Sequence, residues 1–167
     1  QRHDIWVEYF GKNTFASTGV SSRMNGINML TATIIIPAPG ETREIVVPAM
    51  HNWVAGVAQA GPFLFVSGGR GNTDPYTKEP APQETSGSLK LQMHNTLLHV
   101  QHLLEQAGAG LEHVIRFENY VRDINRESEA TQVFKDMLGD SLQATTTTIG
   151  CVLGMTGEME VTAVAVV

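Results

Sequence analysis

Between His113 and Arg122 the chain alternates. Ile115, Phe117, Asn119 and Val121 would share one side of an extended strand, and Arg116, Glu118, Tyr120 and Arg122 the other. Before it, Leu89, Met93, Leu97, Val100, Leu104 and Ala107 recur at three- and four-residue spacing. This predicts a helix from about Glu84 to Ala107, stopped by Gly108. After the strand, Ala130, Val133, Phe134 and Met137 mark a second helix over about Arg126–Leu138, ended by Gly139. An apolar run, Phe63-Leu64-Phe65-Val66, precedes both helices, and two β-rich segments close the chain near Ala144–Val152 and Met159–Val166. The order strand, helix, strand, helix, strand, strand implies an α/β (α+β) fold. Two helices should cover one face of a single mixed sheet and leave the other face to the polar side of the His113–Arg122 strand.

Two stretches break this pattern. Pro37-Ala38-Pro39-Gly40 follows an apolar, β-rich run from Met29 to Ile36 and can continue neither strand nor helix. Gly68 to Pro82, rich in Gly and Pro, reads as a long loop after the first strand. The N-terminal stretch also echoes the C-terminal one. Gly11, Ala16 and Thr18 match Gly139, Ala144 and Thr146 at a common offset of 128 residues, and in each copy an amphipathic segment precedes the Gly. Residues 1–40 are therefore expected to be the helix and two strands that end a preceding, similar repeat. Residues 41–167 are expected to be one complete domain. A first residue of Gln1 rather than Met fits either a processed product or a piece of a longer chain.

Composition narrows the possible functions. The net charge is −6, and the eleven Lys and Arg form no basic stripe, which disfavours nucleic-acid binding through phosphate neutralisation. Apolar residues make up 42% of the chain, enough for a core, yet no run approaches the roughly 20 residues of a membrane helix. The single cysteine, Cys151, offers no intrachain disulfide and fits a reducing, cytoplasmic setting.

Several blocks in order and spacing resemble the Rid (reactive intermediate deaminase, or YjgF) family over about Glu44–Val167. They are Trp53-Val54-Ala55-Gly56-Val57, Gly61-Pro62-Phe63-Leu64-Phe65-Val66-Ser67-Gly68, Gln92, Gln106-Ala107-Gly108, Val114-Ile115-Arg116 running on to Val121-Arg122-Asp123-Ile124-Asn125, and Gln143-Ala144-Thr145-Thr146-Thr147 with Met159–Ala165. The resemblance implies a six-stranded mixed sheet backed by two helices. It also implies a trimer, or a pseudo-trimer if the repeats are tandem, with small-molecule clefts between subunits. A second chain could then carry the missing half-domain. In that family an arginine clamps the substrate carboxylate by forking two hydrogen bonds onto it. The matching residue here is Thr145, the one two further on is Thr147, and the upstream repeat has Ser17. The family's glutamate, asparagine and serine match Glu160, Asn125 and Ser67, and its cleft aromatic matches Trp53.

From these residues the expected site has Glu160 as acid/base, because a carboxylate can position or deprotonate a water. Asn125, Thr145 and Thr147 would bind polar groups, Ser67 would lie beside them and Trp53 would form a wall. Arg70, in Ser67-Gly68-Gly69-Arg70-Gly71, would either supply a substitute cation or be an ordinary loop arginine. Cys151 is expected as a small buried apolar residue, and His51, next to Trp53, as a turn histidine that could also serve as a base. His94, His99 and His102 do not suggest a metal: steps of five and three residues turn them by about 500° and 300° in all, off any common face. No motif requires a cofactor. The expected function is a Rid-like enzyme hydrolysing or deaminating a small polar metabolite of imine or enamine type. The alternatives are a tandem hydrolase of the chorismatase type and a non-catalytic small-molecule-binding module.

Overall fold

The computed structural model describes residues 2–11, 15–17, 22–24, 27–29, 37–48, 54–72, 79–80, 87–139, 144–151, 153 and 157–167. A helix, α1 (Arg2–Phe10), is followed by a small antiparallel pair, β1 (Ser22–Met24) and β2 (Ile27–Met29). The rest builds one six-stranded sheet from β3 (Arg43–Val47), β4 (Val57–Ala60), β5 (Phe63–Gly69), β6 (Val114–Val121), β7 (Thr145–Gly150) and β8 (Met159–Val166). Its order is β3-β4-β5-β8-β6-β7. Every neighbouring pair is antiparallel except β6 and β7, which run parallel because the chain crosses between them through a helix.

The two long helices are α2 (Leu89–Gln106) and α3 (Glu127–Leu138). Both share a core with the sheet: Met93, Leu97, Val100 and Leu104 from α2 and Ala130, Val133 and Phe134 from α3 pack against Leu64, Val66, Phe117, Val121, Val161 and Ala163. Phe117 and Phe134 meet edge to face with ring centroids 5.1 Å apart, an arrangement that adds about 0.5–1.5 kcal/mol beyond burial.

Two expectations shift. Helix α2 begins at Leu89 rather than near Glu84, whose neighbourhood, 81–86, lies outside the described residues. Gly87 adopts φ +75°, and the Ser88 side chain accepts from the Leu91 backbone N–H, so the helix is capped at Ser88. On β6, Ile115 is exposed instead of sharing the core face with Phe117. Val114 opposes Ala165 and Arg116 opposes Val164, so Ile115 is the extra residue of a bulge; Val114 takes the inward place, and the alternation resumes beyond it.

Candidate active site

The bulge and the pairing of β6 with β8 decide which side chains share the face away from the helices. Tyr120 lies opposite Glu160, and Glu118 opposite both Thr162 of β8 and Thr147 of β7. Met159 and Val161, on either side of Glu160, belong to the core. Strand alternation therefore sends the Glu160 carboxylate to the opposite face, as the sequence pattern implies. The carboxylate is not solvated there: Glu160 is only 4% exposed.

A buried carboxylate needs a partner, and Arg70 provides one. Its Nε donates to Glu160 Oε2 at 2.8 Å, and the Arg70 side chain is 31% exposed. The neighbouring glycines fix where Arg70 can stand. A Cβ on Gly69 would come within 2.6 Å of the His99 ring, and one on Gly71 within 1.9 Å of the Gln92 backbone oxygen. The backbone thus lies directly on α2, where Asn95 also donates to the Gly71 carbonyl at 3.3 Å. Glycine is required at both places by close approach, and Arg70 is held between them.

The surroundings of the pair are polar and strongly perturbed. Burial raises the Tyr120 phenol well above its usual range; its hydrogen bond to Glu118 and the charges of Glu118 and Glu160 push the same way. Tyr120 therefore stays protonated and donates to Glu118 Oε2 at 2.9 Å. Arg116 bonds the other Glu118 oxygen. The Cys151 thiol is pushed up to about 11, first by burial and then by the Glu160 charge, against a smaller opposing pull from Arg122. Cys151 is buried, as expected, and the Glu160 charge acts on its thiol. The polar character of the Arg116–Arg122 face was visible in the alternation. The arrival of Cys151 follows from the parallel β6–β7 register, in which the Cys151 N–H donates to the Val121 carbonyl at 2.9 Å, and no local pattern announces it.

The remaining candidates are distributed around this centre. Thr145 and Thr147 are exposed on β7, the edge strand, on the same face as Glu118. Asn125 is exposed in a short 3-10 turn, Ile124–Arg126, and its side-chain amide donates to Asp123 Oδ1 at 2.9 Å. The buried Ser67 hydroxyl donates to the Ala55 carbonyl and accepts from the Ser17 N–H at 2.8 Å. It is thereby the clasp that joins the N-terminal segment to the sheet. The Gly68 N–H donates to the Ser17 carbonyl at 3.1 Å and the Ala55 N–H to the Phe15 carbonyl at 2.8 Å. Trp53 and His51 lie outside the described residues. Among the described residues no group of three or more His, Cys, Asp or Glu could hold a metal ion. His99 is buried against Gly69, and His102 pairs with Gln106.

A family model described as endoribonuclease L-PSP matches residues 44–167, the whole of the six-stranded sheet except its first residue. The chain belongs to that family, the Rid/YjgF family. Among its curated relatives are RutC family proteins of Pyrococcus abyssi, 30% identical, and Pyrococcus horikoshii, 33% identical. Each is matched over 86 residues, which is 52% of this chain and 64% of the relative. The match thus spans less than two thirds of those relatives. Solved structures share the Rid/YjgF fold. A YjgF/YER057c/UK114 family member from Mycobacterium tuberculosis has a TM-score of 0.61 at 24% identity, over 75% of this chain and 100% of that one. RidA from an Antarctic Psychrobacter has a TM-score of 0.61 at 21% identity, over 74% of this chain and 96% of that one. A Rid family protein, YyfA, from Yersinia pestis has a TM-score of 0.66 at 16% identity, over 75% and 100%. Within the Rid/YjgF sheet of this chain, the open face therefore carries a buried carboxylate paired with an arginine from the β5–α2 loop. No helix is long and apolar enough to cross a membrane among the described residues.

Proposed function

We propose that this Rid/YjgF protein hydrolyses or deaminates a small polar metabolite of the imine or enamine type on the open face of its sheet, with Glu160 as the acid/base. The observation that carries this reading is the buried Glu160 carboxylate bridged to the partly exposed Arg70 guanidinium. Arg70 uses Nε for Glu160, so its Nη edge is the part that could fork onto a substrate carboxylate, as a replacement for the arginine absent at Thr145. In the reaction Glu160 takes a proton from water as the water oxygen bonds to the imine carbon. That proton passes to the nitrogen; Glu160 then takes the proton of the new hydroxyl and delivers it to the same nitrogen as the C–N bond breaks and the C=O bond forms, so that carbonyl and ammonia leave and the carboxylate is regenerated. Thr145, Thr147 and Asn125 serve as polar positioning groups, Ser67 holds the adjacent backbone and Trp53 forms a wall. No cofactor takes part.

The reading includes a cytoplasmic protein whose cleft is completed by a neighbouring subunit, in a homotrimer or in a pseudo-trimer of tandem repeats. Thr145 and Thr147 stand exposed on an edge strand, which supports a partner there. The docking of Phe15 and Ser17 beside Ala55, Ser67 and Gly68 supports the tandem arrangement, because Ser17 is the repeat counterpart of Thr145. A second reading, a binding module without chemistry, draws on the same absent arginine. The test is steady-state release of ammonia from imino acids generated in situ. The proposal expects turnover in the native protein and its loss in folded Glu160→Gln; binding without turnover in the native protein would leave only the module.

A further inference from the structure

On the helix side of the same sheet, away from Glu160, a cavity of about 300 Å³ opens between α3 and the β6–β7 edge. Its volume is at the lower end of the range for small-molecule sites, roughly 300–1,000 Å³. Asn119 lines it at 2% exposure, with core residues on both sides, and among the described residues its Oδ1 receives no hydrogen bond. An amide oxygen buried without a donor has given up its hydrogen bonds to water for nothing in return, so it favours a ligand that supplies one. The register explains the company it keeps: Asn119 lies opposite Thr148 and Phe117 opposite Thr146, so both threonines line the same cavity. Toward solvent the polarity continues, with Thr148 half-buried and Thr146 and Lys135 exposed, while Phe134 supplies an apolar wall.

We propose that this cavity is a second ligand site, for a small carboxylic acid carrying a hydroxyl or amino group next to its carboxylate. The hydroxyl or ammonium would give Asn119 Oδ1 the donor it needs. The threonine hydroxyls can both donate and accept, and Lys135 at the mouth pairs with the carboxylate. A plain hydrocarbon would satisfy neither end, and a cation without a carboxylate would leave Lys135 unpaired. The site shares no residue with the Glu160 cleft, and a failure of one reading leaves the other standing.

The test uses L-serine and D-glycerate as probes, with acetate lacking the donor and ethanolamine lacking the carboxylate. Calorimetry and the Asn119 side-chain amide resonances in NMR give the readouts. Serine or glycerate should bind and shift those resonances more than either control. Replacing Asn119 by Val should weaken binding about tenfold or more, because each hydrogen bond of this kind is worth about a factor of ten. The variant should itself be at least as stable as the native protein, since the orphan oxygen is gone. Lys135→Met should bring the affinity for glycerate down to that for ethanolamine, and Glu160→Gln should bind the probes unchanged. Millimolar serine and glycerate that leave the Asn119 resonances in place, or equal binding by Asn119→Val, would overturn the proposal and reduce the cavity to a water site.

Discussion

Removing Arg70 while leaving Glu160 isolates the interaction on which the open face depends. With Nε and Oε2 2.8 Å apart, an effective dielectric of about 20 gives an attraction of roughly 6 kcal/mol, most of which offsets the desolvation of a nearly buried carboxylate. Truncating one partner of a fully buried pair costs about 3–5 kcal/mol. Arg70 is about a third exposed, so water can reach part of the space it leaves, and the expected loss in Arg70→Ala falls to about 2–3 kcal/mol. Urea unfolding at neutral pH measures it. Glu160→Gln in the same background should recover most of that loss, because the stranded charge is gone, giving a coupling of about 2 kcal/mol between the sites. A loss under about 0.5 kcal/mol, the range of ordinary surface substitutions, with no coupling to Glu160→Gln, would show that the pair is not held as described.

Three further outcomes follow from the neighbourhood. Gly71→Ala should destabilise by about 1–3 kcal/mol or more, since its Cβ would enter the Gln92 backbone, and thermal unfolding would show the loss. Ser88→Ala should lower stability by about 1 kcal/mol through loss of the α2 cap, measured by denaturant midpoint. Iodoacetamide labelling of Cys151 in the folded protein should stay slow at pH 8–9 and accelerate only as pH approaches about 11, because burial and the Glu160 charge disfavour the thiolate. Glu160→Gln should move that labelling profile to lower pH; an unmoved profile would separate Cys151 from the site.

The architecture was legible because its signals are local. Apolar spacing along Leu89–Leu104 and Ala130–Met137 located both helices, and the alternation after His113 located β6 and its polar face. The errors were local too. Ile115 follows the pattern but falls on a bulge, which only pairing with β8 reveals. The apolar series itself begins at Leu89, and the Gly87-Ser88 stop-and-cap signal, not the polar residues from Glu84 on, marks the α2 start. The site was legible in part. Glu160 could be named, and its alternation with Met159 and Val161 sets it on the open face, whereas its bond to Arg70 spans 90 residues and depends on two glycines lying against a helix. Ser67 could be named, but not its grip on Ser17, 50 residues away. Asn119 could be placed among core residues; whether a donor reaches it is a property of the packed β6–β7 edge.

The most direct test of the Glu160–Arg70 site compares turnover of an imino acid with that of a neutral imine, in native protein, Glu160→Gln and Arg70→Met. The account predicts that folded Glu160→Gln loses kcat for both substrates, while Arg70→Met raises KM chiefly for the imino acid. Full activity in folded Glu160→Gln, or an equal loss on both substrates in Arg70→Met, would contradict it.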